Sequence, residues 1–319
     1  DAVITESAYT SDISLGPVTA HFELSSINSD INVQHYDAEP SVGVDGVKIS
    51  QTATTGSTDE FAVKNHDLRL LKTGDTQSGD SIVLYSCCDD TDLYSIDNGG
   101  IFLKVKNATG EIIDSASIAG AMPVFEIGRY VYRATTGSIV EHIKQNLSSS
   151  TTHTVTGLVL SRAMTYRASE SLVWAVETTN NLITVNTSTW TRSSIASIAA
   201  SITNLALDIK FHTDDTKILI ADFPSSAGSG HVRAFNTSGT LQFSSSAITV
   251  TDGRNVSISH LTDDVIAVTH SGRVDYLTVG ASSFTATYTG ATSLSLSSLR
   301  FCGGIFAGFT RSATSYHVQ

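Results

Sequence analysis

The chain has few of the residues that cross-link or kink a fold, with only three cysteines and four prolines among 319 residues. Three cysteines do not make the disulfide framework of a small secreted domain. Cys87 and Cys88 are adjacent and point to opposite faces of a strand, so a bond between them would be strained. We therefore expect Cys87, Cys88 and Cys302 to be free and mostly buried thiols.

Basic residues are also scarce, 19 against 31 acidic ones, for a net charge of −12. They are scattered singly, whereas phosphate binding needs a clustered positive surface. This argues against nucleic acid or an anionic membrane as a partner. No run of about 18 apolar residues occurs, so no membrane insertion is predicted.

The recognised signatures of catalysis are missing as well. There is no HExxH motif, no Gly-x-Ser-x-Gly elbow, and no helix after the Gly228–His231 loop to make it a phosphate cradle. The ten histidines are dispersed, and His260 and His270 fall on successive strands. No catalytic residue and no cofactor are assigned, and the binding residues stay unknown at this level.

Two groups of charged residues keep an enzymatic alternative open. Glycoside hydrolysis needs paired carboxylates, and a sialidase also needs an arginine cluster to hold a carboxylate. The carboxylates on proposed inner strands are Glu23, Glu126 and Asp208, and the arginines near them are Arg129, Arg162 and Arg300. Periodicity cannot say which of these side chains face one another.

The densest acidic stretch is the one candidate for a cation. It contains Asp89, Asp90, Asp92 and Asp97, and carboxylate oxygens are the ligands that calcium prefers. The spacing is not that of an EF-hand. An acidic, solvated loop is the other interpretation, and no metal is predicted.

The chain does have a repeating strand pattern. Leu205 to Phe243 contains an alternating run, the Asp214-Asp215 turn, an apolar strand, a Gly/Ser loop, a third strand and an Asn-Thr-Ser-Gly turn into a fourth. The second strand of each unit is its most apolar one, and the residues that mark it, the repeat anchors, recur every 40 to 48 residues at Val83, Val131, Val173, Leu219, Ile266 and Phe306. A period in the forties with four short strands is typical of a β-propeller blade.

This period predicts an all-β, seven-bladed β-propeller of four-stranded antiparallel blades, with a degenerate first anchor at Val33. A single four-stranded sheet cannot cover its two apolar faces, and blades packed in a ring can. The last blade is one strand short, so we expect the N-terminal strand, residues 1–12, to close the ring. The predicted blades span residues 17–62, 66–119, 120–157, 158–201, 202–251, 252–292 and 293–319. The helix-like patch 193–207 is expected to be strand, loop and strand.

The repeated strand and Asn-x-Ser-Gly turn resemble YVTN-like and quinoprotein-like propeller repeats. Ser95-Ile-Asp97-Asn-Gly99-Gly-Ile-Phe102 resembles the Asp-box of sialidase-type propellers, in which the aspartate ties a hairpin turn. It departs from that box at Ile101, where the family has threonine, and the box implies a stabilising turn and no catalytic role. The Gly-His and Trp-Asp marks of WD40 repeats are missing.

Several outer turns also match the N-glycosylation pattern, at Asn107, Asn146, Asn186, Asn236 and Asn255. Asn, Ser and Gly are equally what a tight turn needs, so both interpretations stay open here.

The sequence favours a non-catalytic recognition or assembly module that binds a protein or a glycan through propeller loops. The composition, poor in Lys and Pro and rich in Ser, Thr, Asp and Gly, is similar to that of bacteriophage virion appendages. We therefore expect an extracellular or virion surface. The alternatives are a glycan-processing enzyme of the sialidase or glycosidase type and a structural subunit of a larger assembly.

Overall fold

The computed structural model describes residues 83–319 except for residues 98, 108, 120–122, 252–255, 271–272, 292–295, 303, 311–314 and 319. Before residue 83 it describes six strands alone, from Ile13–Leu15 to Lys72–Thr76. The chain divides into two compact units, Asp1–His66 and Asp67–Gln319, and we describe each by itself.

The first unit contains a strand pair and a three-stranded sheet. β1 (Ile13–Leu15) pairs antiparallel with β2 (Val18–Ala20). β3 (Asp30–His35), β4 (Val47–Thr52) and β5 (Thr58–Ala62) pair in sequence order. Val33, expected to anchor the second strand of a blade, lies in the edge strand β3.

The second unit contains six antiparallel sheets, which we call blades 1 to 6 in chain order; five have four strands and blade 4 has five. Blade 1 has β7 (Val83–Cys88), β8 (Asp92–Asp97), β9 (Ile101–Lys106) and β10 (Ile112–Ser117), and blade 2 has β11 (Val124–Ile127), β12 (Tyr130–Thr135), β13 (Ser138–Ile143) and β14 (Asn146–Thr154). Blade 3 has β15 (Ser161–Arg167), β16 (Leu172–Glu177), β17 (Asn181–Asn186) and β18 (Arg192–Ser197). Blade 4 has β19 (Leu205–Phe211), β20 (Lys217–Phe223), β21 (Gly228–Asn236), β22 (Leu241–Ser244) and β23 (Ile248–Val250). Blade 5 has β24 (Ser257–His260), β25 (Val265–His270), β26 (Arg273–Val279) and β27 (Phe284–Ala291), and blade 6 has β28 (Leu296–Cys302), β29 (Ile305–Thr310), β30 (Ser315–Val318) and β6 (Lys72–Thr76).

The innermost strands of these blades form a closed ring. β7 contacts β11, and contacts continue through β15, β19, β24 and β28 back to β7. The described strands therefore form a β-propeller of antiparallel blades, as predicted. The predicted number of seven blades is wrong for these strands, which form six. The prediction divided the length of the whole chain by the repeat length, whereas residues 1–66 belong to a separate unit.

The repeat anchors were correct in five of the blades. Val131, Val173, Leu219, Ile266 and Phe306 lie in the second strands of blades 2 to 6. In blades 3, 4 and 5 these strands are buried at every residue but the first, so they read as mainly apolar runs.

Blade 1 is the exception, because Val83 begins its innermost strand β7 and its second strand is β8. β8 is buried along its whole length. It carries three polar residues, Asp92, Ser95 and Asp97, which hide it from a search for apolar runs.

Blade 6 takes its outer strand from a distant part of the chain. β30 pairs antiparallel with β6, Lys72–Thr76. Residues 1–12, which were expected to fill this position, lie outside the described residues. The closing strand comes from the start of the propeller unit, not from the start of the chain.

A disulfide between Cys88 and Cys302 joins the same two ends of the ring, at a sequence separation of 214. Cys88 ends β7, and Cys302 ends the neighbouring β28. The expectation of three free thiols is therefore wrong for these two, and Cys87 alone is free and buried. As argued from strand geometry, the adjacent cysteines face opposite ways, since Cys87 packs with Tyr94 and Val124 towards blade 2.

The hydrophobic core lies between successive blades. Val173 and Ile183 pack against blade 2, Ile209 and Ile220 pack against blade 3, and further apolar side chains fill the space between blades 4 and 5. Each fully buried aliphatic side chain contributes about 1.5–3 kcal/mol of transfer free energy. The blades are therefore stabilised mainly by their neighbours in the ring.

Helical structure is minimal in the described part of the chain. The patch 193–207 forms the end of β18, a turn and the start of β19, as expected. A short 3-10 helix covers Ala168–Glu170. No helix found in the described residues is long and apolar enough to cross a membrane.

Candidate functional site

Arg300 of β28 connects the innermost strands of four blades. Its Nε donates to Ser86 Oγ of β7 at 3.1 Å, and its Nη1 donates to the carbonyl oxygen of Ile258 of β24 at 3.0 Å. The same Nη1 pairs with the carboxylate of Asp208 on β19. Arg300 and Asp208 are both buried. An ion pair therefore closes the centre of the ring between these four strands.

Asp208, one of the carboxylates considered for catalysis, is fully engaged here. Besides Arg300, it accepts hydrogen bonds from the backbone N–H groups of Ile258, at 2.7 Å, and Ile209, at 3.0 Å. The cavity beside the pair is about 20 Å³, which holds about one water molecule. This part of the axis is a structural closure and has no room for a ligand.

Two further buried groups lie near the closure. Burial lowers the pKa of Lys210, and the charge of Arg300 lowers it further, while Asp208 and Glu126 oppose the shift. Burial raises the pKa of the Cys87 thiol to about 12. Because the thiolate is the reactive form, Cys87 is inert at neutral pH.

Lysines neutralise the acidic stretch that was the candidate for a cation. Lys144 Nζ lies 2.6 Å from Asp89 Oδ2 and 2.9 Å from Glu126 Oε2, and Lys104 Nζ lies 3.3 Å from Asp92 Oδ2. Burial alone would raise the pKa of Asp89, but the hydrogen bond from Lys144 and those from backbone N–H groups lower it below its usual value. Ammonium groups thus hold the position that a metal ion would take.

The four aspartates of that stretch are not brought together. Asp90 is exposed on the turn before β8, whereas Asp97 ends β8 and accepts a hydrogen bond from the backbone N of Ile101 at 2.7 Å. Asp97 therefore ties the hairpin, as the Asp-box resemblance implies. Among the described residues no group of three or more His, Cys, Asp or Glu could hold a metal ion.

Buried carboxylates recur at the end of second strands, a pattern that sequence reasoning missed. Asp222 accepts from Arg233 Nε at 2.6 Å and from the backbone N of Asn204 at 2.7 Å. Glu177 pairs with Arg192 at 2.8 Å. In the sequence, an acidic residue at or next to the end of an apolar strand was the signal that could have identified them. These groups hold blades 3 and 4 to the segments before them, since Glu177 also accepts from the backbone N of Val159 at 3.2 Å.

Of the arginines considered for a sialidase-type cluster, the two whose side chains the structure describes do not come together. Arg129 is exposed and lies over the Tyr130 ring, 4.8 Å from its centroid, whereas Arg300 is buried at the axis. The Arg162 side chain and Glu23 lie outside the described residues. Glu126 is held by Lys144, so the described carboxylates on inner strands are both in ion pairs.

The asparagines of the turns act through turn chemistry. Asn186 Oδ1 accepts from the backbone N of Ser188 at 2.9 Å, and Asn236 Oδ1 accepts from the backbone N of Thr240 at 2.9 Å. Asn146 makes the same kind of bond, and Asn107 is buried. Asn255 lies outside the described residues. Glycosylation of these sites stays a prediction.

His260 gives the contact between blades 4 and 5 a dependence on pH. Its Nε2 lies 2.6 Å from the carbonyl oxygen of Phe211, so Nε2 carries the proton. Burial lowers the pKa of His260 below 6.5, the hydrogen bond to Phe211 partly opposes this, and the Lys210 charge adds to it. The unfolded chain therefore binds a proton more readily, and stability falls as the pH drops through 6.5.

We expect the urea midpoint of the wild-type chain to be lower at about pH 5.5 than at about pH 7.5, with a smaller drop in His260→Gln. The variant should keep part of the drop, because burial also lowers the pKa of His142. An equal drop in both proteins would show that His260 does not contribute.

A groove lies between blades 4 and 5 and has a volume of about 300 Å³. This is at the lower limit of small-ligand sites. We call it the blade 4–5 groove. Its walls include Ser246, Ile248 and Thr249 from blade 4, and Arg273, Asp275, Leu277 and Phe284 from blade 5.

The polar end of the groove contains one engaged carboxylate and one free cation. Asp275 Oδ2 lies 2.7 Å from Nε2 of the buried His270. Arg273 is exposed, and its guanidinium makes no hydrogen bond or ion pair with residues that the structure describes. The other end is apolar, since Ile248 and Leu277 are buried and Phe284 packs edge to face on Phe243.

The groove exists because blade 4 departs from the four-strand repeat. The predicted Gly/Ser loop is partly strand, because Gly228–Gly230 of β21 pairs with β23. Gly230 is required there, since a Cβ would lie 2.5 Å from the carbonyl oxygen of Asp222. Sequence reasoning missed Arg273 and Asp275, which no motif or spacing marks.

A second, more open cleft of about 300 Å³ is lined by Cys88, Asp89, Asp90, Glu126, Phe301 and Cys302. Two of its carboxylates are already bound to Lys144, and its rear wall is the ring-closing disulfide. We therefore treat it as part of the closure and the blade 4–5 groove as the candidate functional site.

Comparison with known proteins supports the fold. No protein-family model and no curated protein matches the sequence. Among solved structures, the RRP9 WD40 repeats are 8% identical, with 80% of this chain and 98% of that chain covered and a TM-score of 0.52. A chain of a mitotic checkpoint complex is 10% identical over 85% of this chain and 81% of that one, with a TM-score of 0.52.

The Cps50 (Swd1) β-propeller domain of Myceliophteria thermophila is 9% identical, over 93% of this chain and 98% of that one, with a TM-score of 0.51. Likenesses at identities this low show the fold alone. The chain is similar to these proteins as a β-propeller of antiparallel, mostly four-stranded blades.

Proposed function

We propose that the protein is a non-catalytic recognition module that binds a protein partner through the blade 4–5 groove. The observation that carries this proposal is a groove of about 300 Å³ with a free guanidinium at one end and an apolar floor at the other. It lies at the one blade with an additional strand. A rigid ring with one irregular blade is a suitable scaffold for a binding site.

The proposal of a protein partner is supported by a similar propeller that occurs in a protein complex. One of the similar chains belongs to a mitotic checkpoint complex. The glycan-processing alternative receives less support, because the inner-strand carboxylates Asp208 and Glu126 are each bound to a cation.

We also propose that the protein is located in an oxidising environment, such as an extracellular or virion surface. The Cys88–Cys302 disulfide supports this, because disulfides persist in secreted proteins and on virion surfaces and are rare in reducing compartments. Membership of a larger virion assembly would be compatible with the same groove.

The experiment blocks the groove with a tryptophan side chain. The full-length chain, Ser246→Trp and the matched control Ser194→Trp, which changes an exposed residue of β18, are screened on a peptide array, a glycan array and a panel of fluorogenic glycosides. We expect peptides that bind the wild type and the control and bind Ser246→Trp at least tenfold more weakly. Binding to glycans alone would replace the protein partner with a sugar, and hydrolysis of a glycoside would overturn the non-catalytic assignment.

A further inference from the structure

The blade 4–5 groove is bordered by an open strand edge. β23 pairs with β21 through Gly228, Ser229 and Gly230 on one side. On its other side it pairs with no strand among those the structure describes. The unpaired backbone groups of an edge strand can hydrogen-bond an incoming extended peptide.

Arg273 supplies the charge preference of the groove. Its guanidinium is exposed and has no partner in the described part of the chain, while the nearby Asp275 is already engaged by His270. A guanidinium binds a carboxylate through two parallel hydrogen bonds. The free charge in the groove is therefore complementary to an acidic side chain.

The apolar floor supplies the second contact. Ile248, Leu277 and Phe284 line the groove, and in the β26–β27 register Leu277 and Phe284 lie towards the end remote from Arg273. In an extended peptide, residues i and i+2 face the same side. One apolar and one acidic residue, separated by a single position, would thus enter the groove together.

We infer that the groove binds an extended, acidic peptide segment of the partner as an added strand along β23. The acidic side chain pairs with Arg273, and an apolar side chain two positions away covers Ile248, Leu277 and Phe284. This inference rests on the proposed function and specifies its ligand class. β23 has three residues, so the bound segment is about 10 Å long.

The test uses fluorescein-labelled, blocked pentapeptides with the core Leu-Thr-Asp or, for the opposite strand direction, Asp-Thr-Leu, and matched peptides with Asn in place of Asp. Fluorescence polarisation with the full-length chain measures their affinities. We expect one Asp peptide to bind about tenfold more tightly than its Asn counterpart, a factor typical of one charge-assisted hydrogen bond. Bound peptide should also slow amide hydrogen exchange at residues 248–250.

Two variants with the same change in net charge provide the control. Arg273→Gln should abolish the preference for Asp over Asn, whereas Lys106→Gln, an exposed lysine of blade 1, should retain it. Equal affinity for Asp and Asn peptides, an unchanged preference in Arg273→Gln, or no binding up to about 1 mM would overturn the inference. If array peptides still lose binding in Ser246→Trp, the recognition function stands and only this ligand class is wrong.

Discussion

Arg300→Met should lower the free energy of unfolding of the propeller by about 3–5 kcal/mol, the range seen when one partner of a buried ion pair is removed. Methionine fills a similar volume but leaves the carboxylate of Asp208 buried without its cation. It also removes the hydrogen bonds from Arg300 to Ser86 and Ile258. Four blades lose their common contact in one substitution.

Urea unfolding followed by tryptophan fluorescence measures this effect. Both tryptophans of the chain, Trp174 and Trp190, lie in the propeller unit, so the signal reports that unit. Arg129→Met, at an exposed arginine, should stay within about 0.5 kcal/mol of the wild type. Asp208→Asn combined with Arg300→Met should recover at least half of the loss, since the buried carboxylate that has lost its cation is also removed. A loss below about 1 kcal/mol in Arg300→Met would refute the closure.

Cys88→Ser should cost the propeller about 2–5 kcal/mol. The bond closes a loop with a sequence separation of 214, for which the chain-entropy description gives about 5 kcal/mol. Without it, the two ends of the ring are joined by the pairing of β30 with β6 and by contacts between β28 and β7.

The urea midpoint with and without a reductant tests this. The wild type should lose stability when reduced, and Cys88→Ser should be insensitive to the reductant. Cys87→Ala serves as the control, because Cys87 is free and the variant should keep the response to the reductant. Alkylation of the denatured, unreduced wild type should modify one cysteine; three modified cysteines would contradict the disulfide.

The Arg300–Asp208 ion pair and the Cys88–Cys302 disulfide keep the ring closed, so one blade can differ from the others. The axial ion pair and the disulfide join blades at the centre of the ring, and the buried carboxylates Glu177 and Asp222 hold blades 3 and 4 to the segments before them. β23 and the blade 4–5 groove occur in blade 4, the described blade that departs from the four-strand repeat. Function on a repeat scaffold is expected where the repeat is broken.

The repeat itself could be predicted because a strand that is buried on both faces consists mainly of apolar residues. Val173, Leu219 and Ile266 mark strands buried on both faces, and such strands contain few polar residues. β8 escaped this search because its polar residues have partners: Asp97 binds the Ile101 backbone and Asp92 pairs with Lys104. A buried polar side chain with a partner looks like a surface residue in sequence.

The candidate site could not be predicted by the same reasoning. Arg273 and Ile248 belong to different blades, and nothing in their spacing brings them together. Arg300, considered only as a carboxylate-binding residue, pairs with Asp208, which is 92 positions away. Contacts of this length depend on how the ring closes.

The sequence by itself determined an all-β chain of repeated four-stranded units, because strand period, turn chemistry and burial act over a few residues and are written locally. It also determined which strands would be buried at the centre of most blades. Only the tertiary structure decided the number of blades, the use of Lys72–Thr76 as closing strand, the pairing of Cys88 with Cys302 and the position of the groove. Each of these depends on which distant segments meet when the ring closes, and a period along the chain carries no information about where a ring begins.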